Sequence, residues 1–118
     1  MGAREFYAKG YTSEDKYYVK YLLTAYPDYA NDGLFVTTIY IRDPDVSLYG
    51  LTTESSVEAF ASVFENMSFT VEVDESNGRR SATAKKYDIT FYFYEKTETT
   101  HGAITVKAKV TNREGISF

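Results

Sequence analysis

The sequence has 118 residues, a formal net charge of -4, no cysteine, and an aromatic content of 17% that consists of 12 tyrosines and 8 phenylalanines. This length suits one hydrophobic core, so we expect a single domain over residues 1–118. The negative charge gives no electrostatic footprint for nucleic acid, and the lack of cysteine excludes disulfides, thiolate metal sites and thiol nucleophiles.

The chain contains no run of about 18 apolar residues, so we expect no membrane-spanning helix. Its first residues lack the apolar centre of a secretion signal. The high content of Thr and Tyr relative to Leu slightly favours an extracellular or cell-surface module over a cytoplasmic one. Composition alone leaves the compartment, the organism and the oligomeric state open.

Two interpretations fit the segment KYYVKYLLTAY. As a strand, it is rich in β-formers and would pair with a second strand over residues 34–42, across the polar loop PDYANDG. That second strand stops near Pro44, which cannot continue a hydrogen-bonded ladder. As a helix, the segment would cover residues 13–26, with Thr12 or Ser13 as its cap. The helix would present Tyr17, Tyr18, Tyr21, Leu22 and Ala25 on one face.

The clearest helix is predicted over about residues 53–66. Its apolar stripe consists of Val57, Phe60, Ala61 and Phe64. Ser55 and Glu58 have the spacing of a capping box, with Thr53 as an alternative cap, and Asn66 is expected to take the left-handed conformation that ends the helix. The stripe needs an apolar partner, which the following strands would provide.

A hairpin is predicted directly after this helix. The alternation in SFTVEVD indicates a strand with one wet face, and Asn77-Gly78 is a strong signal for a tight hairpin turn. The return strand RSATAKK would turn the small residues Ala82 and Ala84 inward, which lets the helix approach closely.

Two more strands are predicted over residues 88–95 and 103–111, and the first of them carries aromatic side chains on both faces. The predicted core-facing residues are Ile89, Phe91 and Phe93 in the first strand and Ile104, Val106, Ala108 and Val110 in the second. The opposite face carries Thr90, Tyr92 and Tyr94 on the first and Thr105, Lys107 and Lys109 on the second, in a register that the sequence leaves open.

We predict that Tyr92, Tyr94, Lys107 and Lys109 form a binding surface for a protein or glycan partner, extended by tyrosines of the first hairpin. Tyrosine offers a large rigid area and a hydroxyl group at low ordering cost, which suits recognition. A simpler alternative is that Tyr and Thr are favourable residues for a half-wet sheet and that the lysine stems cover the rings.

Other candidate chemistry is sparse. His101 is the only histidine, and its loop offers no neighbouring residue to orient it as a base, so we expect a solvated loop residue. The acidic segments PDYANDG, RDPDV and EVDESNG lack the spacing of a calcium loop, and no glycine-rich phosphate loop occurs. The sequence therefore predicts no catalytic residue, no metal site and no cofactor.

The predicted fold is α+β: an antiparallel sheet of about five to six strands with one helix packed on one face. The element order after residue 53 broadly resembles small binding modules of bacterial cell-surface lipoproteins and secreted enzyme inhibitors, without a shared signature. We expect a non-enzymatic interaction module, bacterial and exported. Two alternatives are an enzyme or ligand carrier with a pocket between the helix and a curved sheet, with His101 or a pair of acids at its mouth, and an acidic protein inhibitor.

Overall fold

A computed structural model describes residues 3–8, 10–25 and 34–108. In chain order, the elements are β1 Ala3–Tyr7, β2 Val19–Ala25, β3 Leu34–Ile41, α1 Val57–Asn66, β4 Thr70–Ser76, β5 Arg79–Lys86, β6 Ile89–Tyr94 and β7 Ala103–Ala108. The strands form one antiparallel sheet in the order β1-β2-β3-β7-β6-β5-β4. The α+β prediction is confirmed, and the sheet is slightly larger than expected because β1 adds a seventh strand.

The helical interpretation of residues 13–26 is wrong for the part that the structure describes. Residues 19–25 are β2, which pairs with β1 on one side and β3 on the other. These two ladders satisfy the backbone groups that a helix would have paired internally, and the β-branched and aromatic side chains suit a strand. Residue 26 and the predicted hairpin loop at 27–33 lie outside the described residues.

Helix α1 is shorter than predicted and has different caps. It begins at Val57 because Ser56 is the N-cap, whose hydroxyl accepts the Ala59 N–H at 3.1 Å. The predicted capping box is therefore wrong: the Ser55 hydroxyl instead accepts the N–H of Thr52, in the turn before the helix. Asn66 is still helical, and Ser68, at φ 67°, is the residue that adopts the left-handed conformation.

The core lies between α1 and the sheet. Phe60 stacks on Phe93 of β6 with 5.1 Å between ring centroids, and Phe64 lies 4.6 Å from Phe91. Ala82 and Ala84 are buried beneath the helix, as predicted. Each fully buried phenylalanine contributes about 1.5–3 kcal/mol relative to an exposed one. The segment between β3 and α1 adds Leu51 to this core, with Val46 and Leu48 packed beside it.

The β4–β5 turn forms as predicted, because Asn77 and Gly78 take φ values of 55° and 76°. The strand that follows pairs with β6, and β6 pairs with β7, so that Tyr92 lies opposite Thr105 and Thr90 opposite Lys107. This supplies the register that the sequence left open. In the described part of the chain, no helix is long and apolar enough to cross a membrane.

Candidate functional site

The face of the sheet opposite α1 carries the predicted tyrosines. Side chains alternate along a strand, so the contacts of Phe91 and Phe93 with the helix direct Tyr92 and Tyr94 to the other side. Tyr94 is 41% exposed and Tyr92 is half-buried. The only helix within residues 3–8, 10–25 and 34–108 packs on the other side, so we call this surface the open face.

Three of the four predicted binding residues come together on the open face. Lys107 is exposed, and its ammonium lies 5.4 Å from the ring centroid of Tyr92, a cation-π distance. Tyr92, Tyr94 and Lys107 line one shallow depression of about 300 Å³. Lys109 lies outside the described residues. The contact of Lys107 with Tyr92 also fits the simpler alternative, in which lysine side chains cover the tyrosine rings. This contact alone does not require a ligand.

The first hairpin extends this surface. The residues that do so are Tyr40, Arg42 and Lys20, which were not singled out from the sequence. Tyr40 and Arg42 of the β3 end line the same depression as Tyr92, and the guanidinium carbon of Arg42 lies 5.4 Å from the Tyr40 ring centroid. Lys20 lies on the neighbouring strand β2 and Tyr18 directly before it, and the Lys20 ammonium lies 5.4 to 5.8 Å from three tyrosine rings. Tyrosines and cations thus continue across β2, β3, β7 and β6.

A second depression, of about 370 Å³, adjoins the first through Arg42 and Tyr94. We call it the arginine depression. Its lining includes Lys16, Tyr18, Arg42, Arg79, Tyr94 and His101. Gly102 forms part of its wall and must be glycine, because a Cβ atom there would lie 1.8 Å from the backbone oxygen of Thr53.

Arg42 is held by neutral oxygens. One terminal nitrogen donates to the carbonyl of Ile104 at 2.7 Å, and the other donates to the hydroxyl of Thr105 at 3.0 Å. Burial lowers the pKa of the Arg42 guanidinium, and the nearby positive charge of Arg79 lowers it further, against the opposing effect of neighbouring tyrosines. Arginine still stays charged at neutral pH. Arg42 therefore presents a partly buried positive charge to the open face.

Arg79 and Arg80 are adjacent in sequence and point to opposite faces of the sheet. Arg80 turns to the helix side, where it binds the carboxylates of Glu58 and Glu95. Arg79 turns to the open face, where its guanidinium carbon lies 5.1 Å from the Tyr94 ring centroid. Within the described ranges, it donates only to the main-chain oxygens of Glu95 and His101. One arginine is thus neutralised, whereas the other has only neutral acceptors among the described residues.

The open face is therefore locally positive on a protein whose net charge is -4. Among the described residues, Lys16, Arg42, Arg79 and Lys107 have no carboxylate within ion-pair distance, whereas Lys20 is paired with Glu5 at 3.0 Å. The described acids on this face lie at the two edges of the sheet, Glu5 on β1 beside Lys20 and Glu72 and Asp74 on β4. This separation of charge has little signal in the sequence, because it depends on the order of the strands in the sheet.

The other candidates considered from the sequence are His101, the acidic residues and a pocket between the helix and the sheet. His101 is exposed, as expected, and its ring lies edge-on to Tyr17 at 5.0 Å. In the ranges that the structure describes, no group of three or more acidic or histidine side chains could hold a metal ion. The space between helix and sheet is filled by Phe60, Phe64 and Phe93, which are fully buried and in mutual contact.

Comparisons with protein family models, curated proteins and solved structures gave no match to this chain. The chemistry of the open face is therefore the basis on which a function can be proposed.

Proposed function

We propose that the protein is a non-enzymatic binding module that recognises a protein or glycan partner through the open face. The observation that carries this proposal is the concentration of tyrosine rings and cations on the one side of the sheet that α1 does not cover. Tyrosine and arginine are enriched among residues that dominate binding energy at interfaces.

The shape of this surface supports the proposal. The two adjoining depressions are shallow and share Arg42 and Tyr94, so a partner can touch both at once. The rings are held by neighbouring cations and by strand pairing rather than by a flexible loop. Recognition groups that are already ordered lose less entropy on binding.

The enzymatic alternative has less support. Its pocket was expected between the helix and the sheet, where Phe60, Phe64 and Phe93 occupy the space. Its proposed acid-base residue, His101, is exposed and contacts Tyr17 rather than a carboxylate among the described residues. The acidic-inhibitor alternative rests on the net charge of -4 and has no further observation in its favour.

The test is a binding comparison between the wild type and a Tyr92→Ala/Tyr94→Ala variant on a glycan array and a protein array. Tyr87→Ala is the matched control, since Tyr87 is 84% exposed at the β5–β6 turn and lines neither depression. We expect the double variant to lose a partner that the wild type and the control both bind, with a change in unfolding free energy within about 1–2 kcal/mol. A partner whose affinity is unchanged in the double variant, or arrays without any bound partner, would overturn the proposal.

A further inference from the structure

Arg42 and Arg79 reach the arginine depression from different strands. Three of the five N–H donors of Arg42 bind main-chain or hydroxyl oxygens, as do two of the five of Arg79. The donors that remain on each guanidinium include a terminal nitrogen, and both side chains line the same depression. Two positive charges with spare donors therefore share one open space.

This arrangement is costly without an anion. Two like charges in a partly desolvated place repel each other, and neither has a carboxylate beside it among the described residues. Arg80, the next residue in the chain, differs from Arg79 because it binds two carboxylates that neutralise its charge. A bound carboxylate could accept paired N–H bonds from a guanidinium in the same way.

We infer that the open face binds an acidic saccharide, with the carboxylate of one uronate unit held between Arg42 and Arg79. This rests on the proposed function and names the chemical class of its ligand. The chain of sugar units would run across the strands, past Tyr94 and Tyr92 toward Tyr40 and Lys107. These side chains lie on β6, β7 and β3, which span two strand spacings, or about 10 Å, and this is room for about two linked sugar rings.

The surroundings favour a saccharide over an acidic peptide. The large apolar side chains of β6 and β7 point to the helix side, and the two depressions are lined by tyrosines, Thr105, cations and small residues. The centre of a protein interface is normally depleted in charged residues, lysine above all, whereas Lys16 and Lys107 line these depressions together with two arginines. A sugar ring instead presents hydroxyl groups, which tyrosine hydroxyls and the spare guanidinium donors can match without a free ring face.

The same surroundings weigh against single-stranded nucleic acid. Base stacking needs free aromatic faces, and Lys107 and Arg79 already lie at cation-π distance from Tyr92 and Tyr94. The net charge of -4 repels every polyanion at long range, so it does not distinguish a nucleic acid from a polyuronate. A single carboxylate in the arginine depression meets only the local positive field.

The experiment titrates the protein with hexagalacturonate by calorimetry and repeats the titration with the methyl ester of the same oligosaccharide, which keeps the sugar units and removes their charge. Arg79→Gln is the test variant. Lys85→Gln is its matched control, because it removes one positive charge from the same strand, outside both depressions. Arg42→Lys is a second test variant that keeps the charge and loses the planar fork.

We expect hexagalacturonate to bind the wild type and its ester to bind at least about tenfold more weakly. Arg79→Gln and Arg42→Lys should each weaken binding by about tenfold, and Lys85→Gln by less than about twofold. Circular dichroism and thermal unfolding check that each variant is folded. Arg42 also ties β3 to β7, so Arg79→Gln decides the outcome if Arg42→Lys does not fold.

Three results would overturn the inference: equal binding of acid and ester, no binding of either, or equal losses in Arg79→Gln and Lys85→Gln. Poly-L-glutamate and an oligothymidylate serve as further probes. Binding of either one in place of the saccharide, with the same dependence on Arg79, would assign the site to another class of polyanion. The proposed function fails separately, when the Tyr92→Ala/Tyr94→Ala variant keeps the binding of every partner found on the arrays.

Discussion

Replacing Glu95 with glutamine is expected to loosen the start of α1 from the sheet. One oxygen of the Glu95 carboxylate accepts the Val57 N–H at 2.8 Å and a terminal nitrogen of Arg80 at 2.7 Å, and the other accepts the Arg80 Nε–H at 2.9 Å. Val57 is the first residue of the helix, so this carboxylate satisfies an unpaired helix donor and also favours the positive end of the helix dipole.

The magnitude follows from these contacts. Hydrogen bonds to charged groups contribute about 1.5–3 kcal/mol, and the Arg80 side chain is 38% exposed, which reduces the share of the ion pair. We therefore expect Glu95→Gln to lower the unfolding free energy by about 1–2 kcal/mol, or the Tm by about 4–8 °C. Glu58→Gln is the matched control, because Glu58 binds the same arginine but is 67% exposed, and we expect this substitution to lower the unfolding free energy clearly less than Glu95→Gln does.

The effect should depend on pH in a defined direction. The hydrogen bonds from Arg80 and from the Val57 N–H hold the pKa of Glu95 below its usual value of 4.5. A depressed folded-state pKa gives stability that is fully present above the unfolded-state value and is lost as the pH falls through the folded-state value. Urea unfolding at neutral pH and below about pH 4 should therefore show a difference between wild type and Glu95→Gln that shrinks with acid. Equal losses in the two glutamine variants, or a difference that grows with acid, would refute this account of the helix start.

Two further predictions concern the turns. Gly102→Ala should lower the unfolding free energy by about 2–3 kcal/mol in urea titrations, because its Cβ would lie 1.8 Å from the Thr53 carbonyl oxygen and the backbone would have to move. An unchanged urea midpoint would show that Thr53 is free to shift. Tyr87→Asn should raise the unfolding free energy by about 0.5–1 kcal/mol, because Tyr87 adopts φ 55° in a hairpin turn, where asparagine is better tolerated. A loss of stability would mean that the exposed ring makes a contact that stabilises the protein more than the relief of backbone strain does.

The parts of the fold that depend on local pattern could be predicted from the sequence. Alternation separated Phe91 and Phe93 from Tyr92 and Tyr94, and Asn77-Gly78 marked its hairpin, because each signal involves neighbouring residues. The segment 13–26 was ambiguous because its tyrosines and leucines fit a helical face as well as a strand. Residues 19–25 form a strand because they pair with β1 and β3, and such pairing depends on residues that are distant in the sequence.

The candidate site was only partly predictable for the same reason. Tyr92, Tyr94 and Lys107 lie on two strands joined by one loop, so their common face could be inferred from period-two alternation. Arg42 and Arg79 are far apart in sequence and line one depression only because β3 pairs with β7 and β5 with β6. The sequence contains one weak signal for Arg42: it lies two residues after Tyr40. This spacing places both side chains on one face if the extended backbone continues to residue 42.

The most direct test of the binding proposal is the accessibility of Tyr92 and Tyr94 in the dilute protein, measured by mild nitration with tetranitromethane and peptide mapping. Tyr87, at 84% exposure, is the internal reference for a free ring. An open face predicts that Tyr94, at 41% exposure, reacts readily but more slowly than Tyr87, and that half-buried Tyr92 reacts more slowly still but completely. The far-ultraviolet circular dichroism should stay that of the folded protein. Protection of both Tyr92 and Tyr94 while Tyr87 reacts would mean that this face is covered in the free protein, and it would contradict a binding role for the open face.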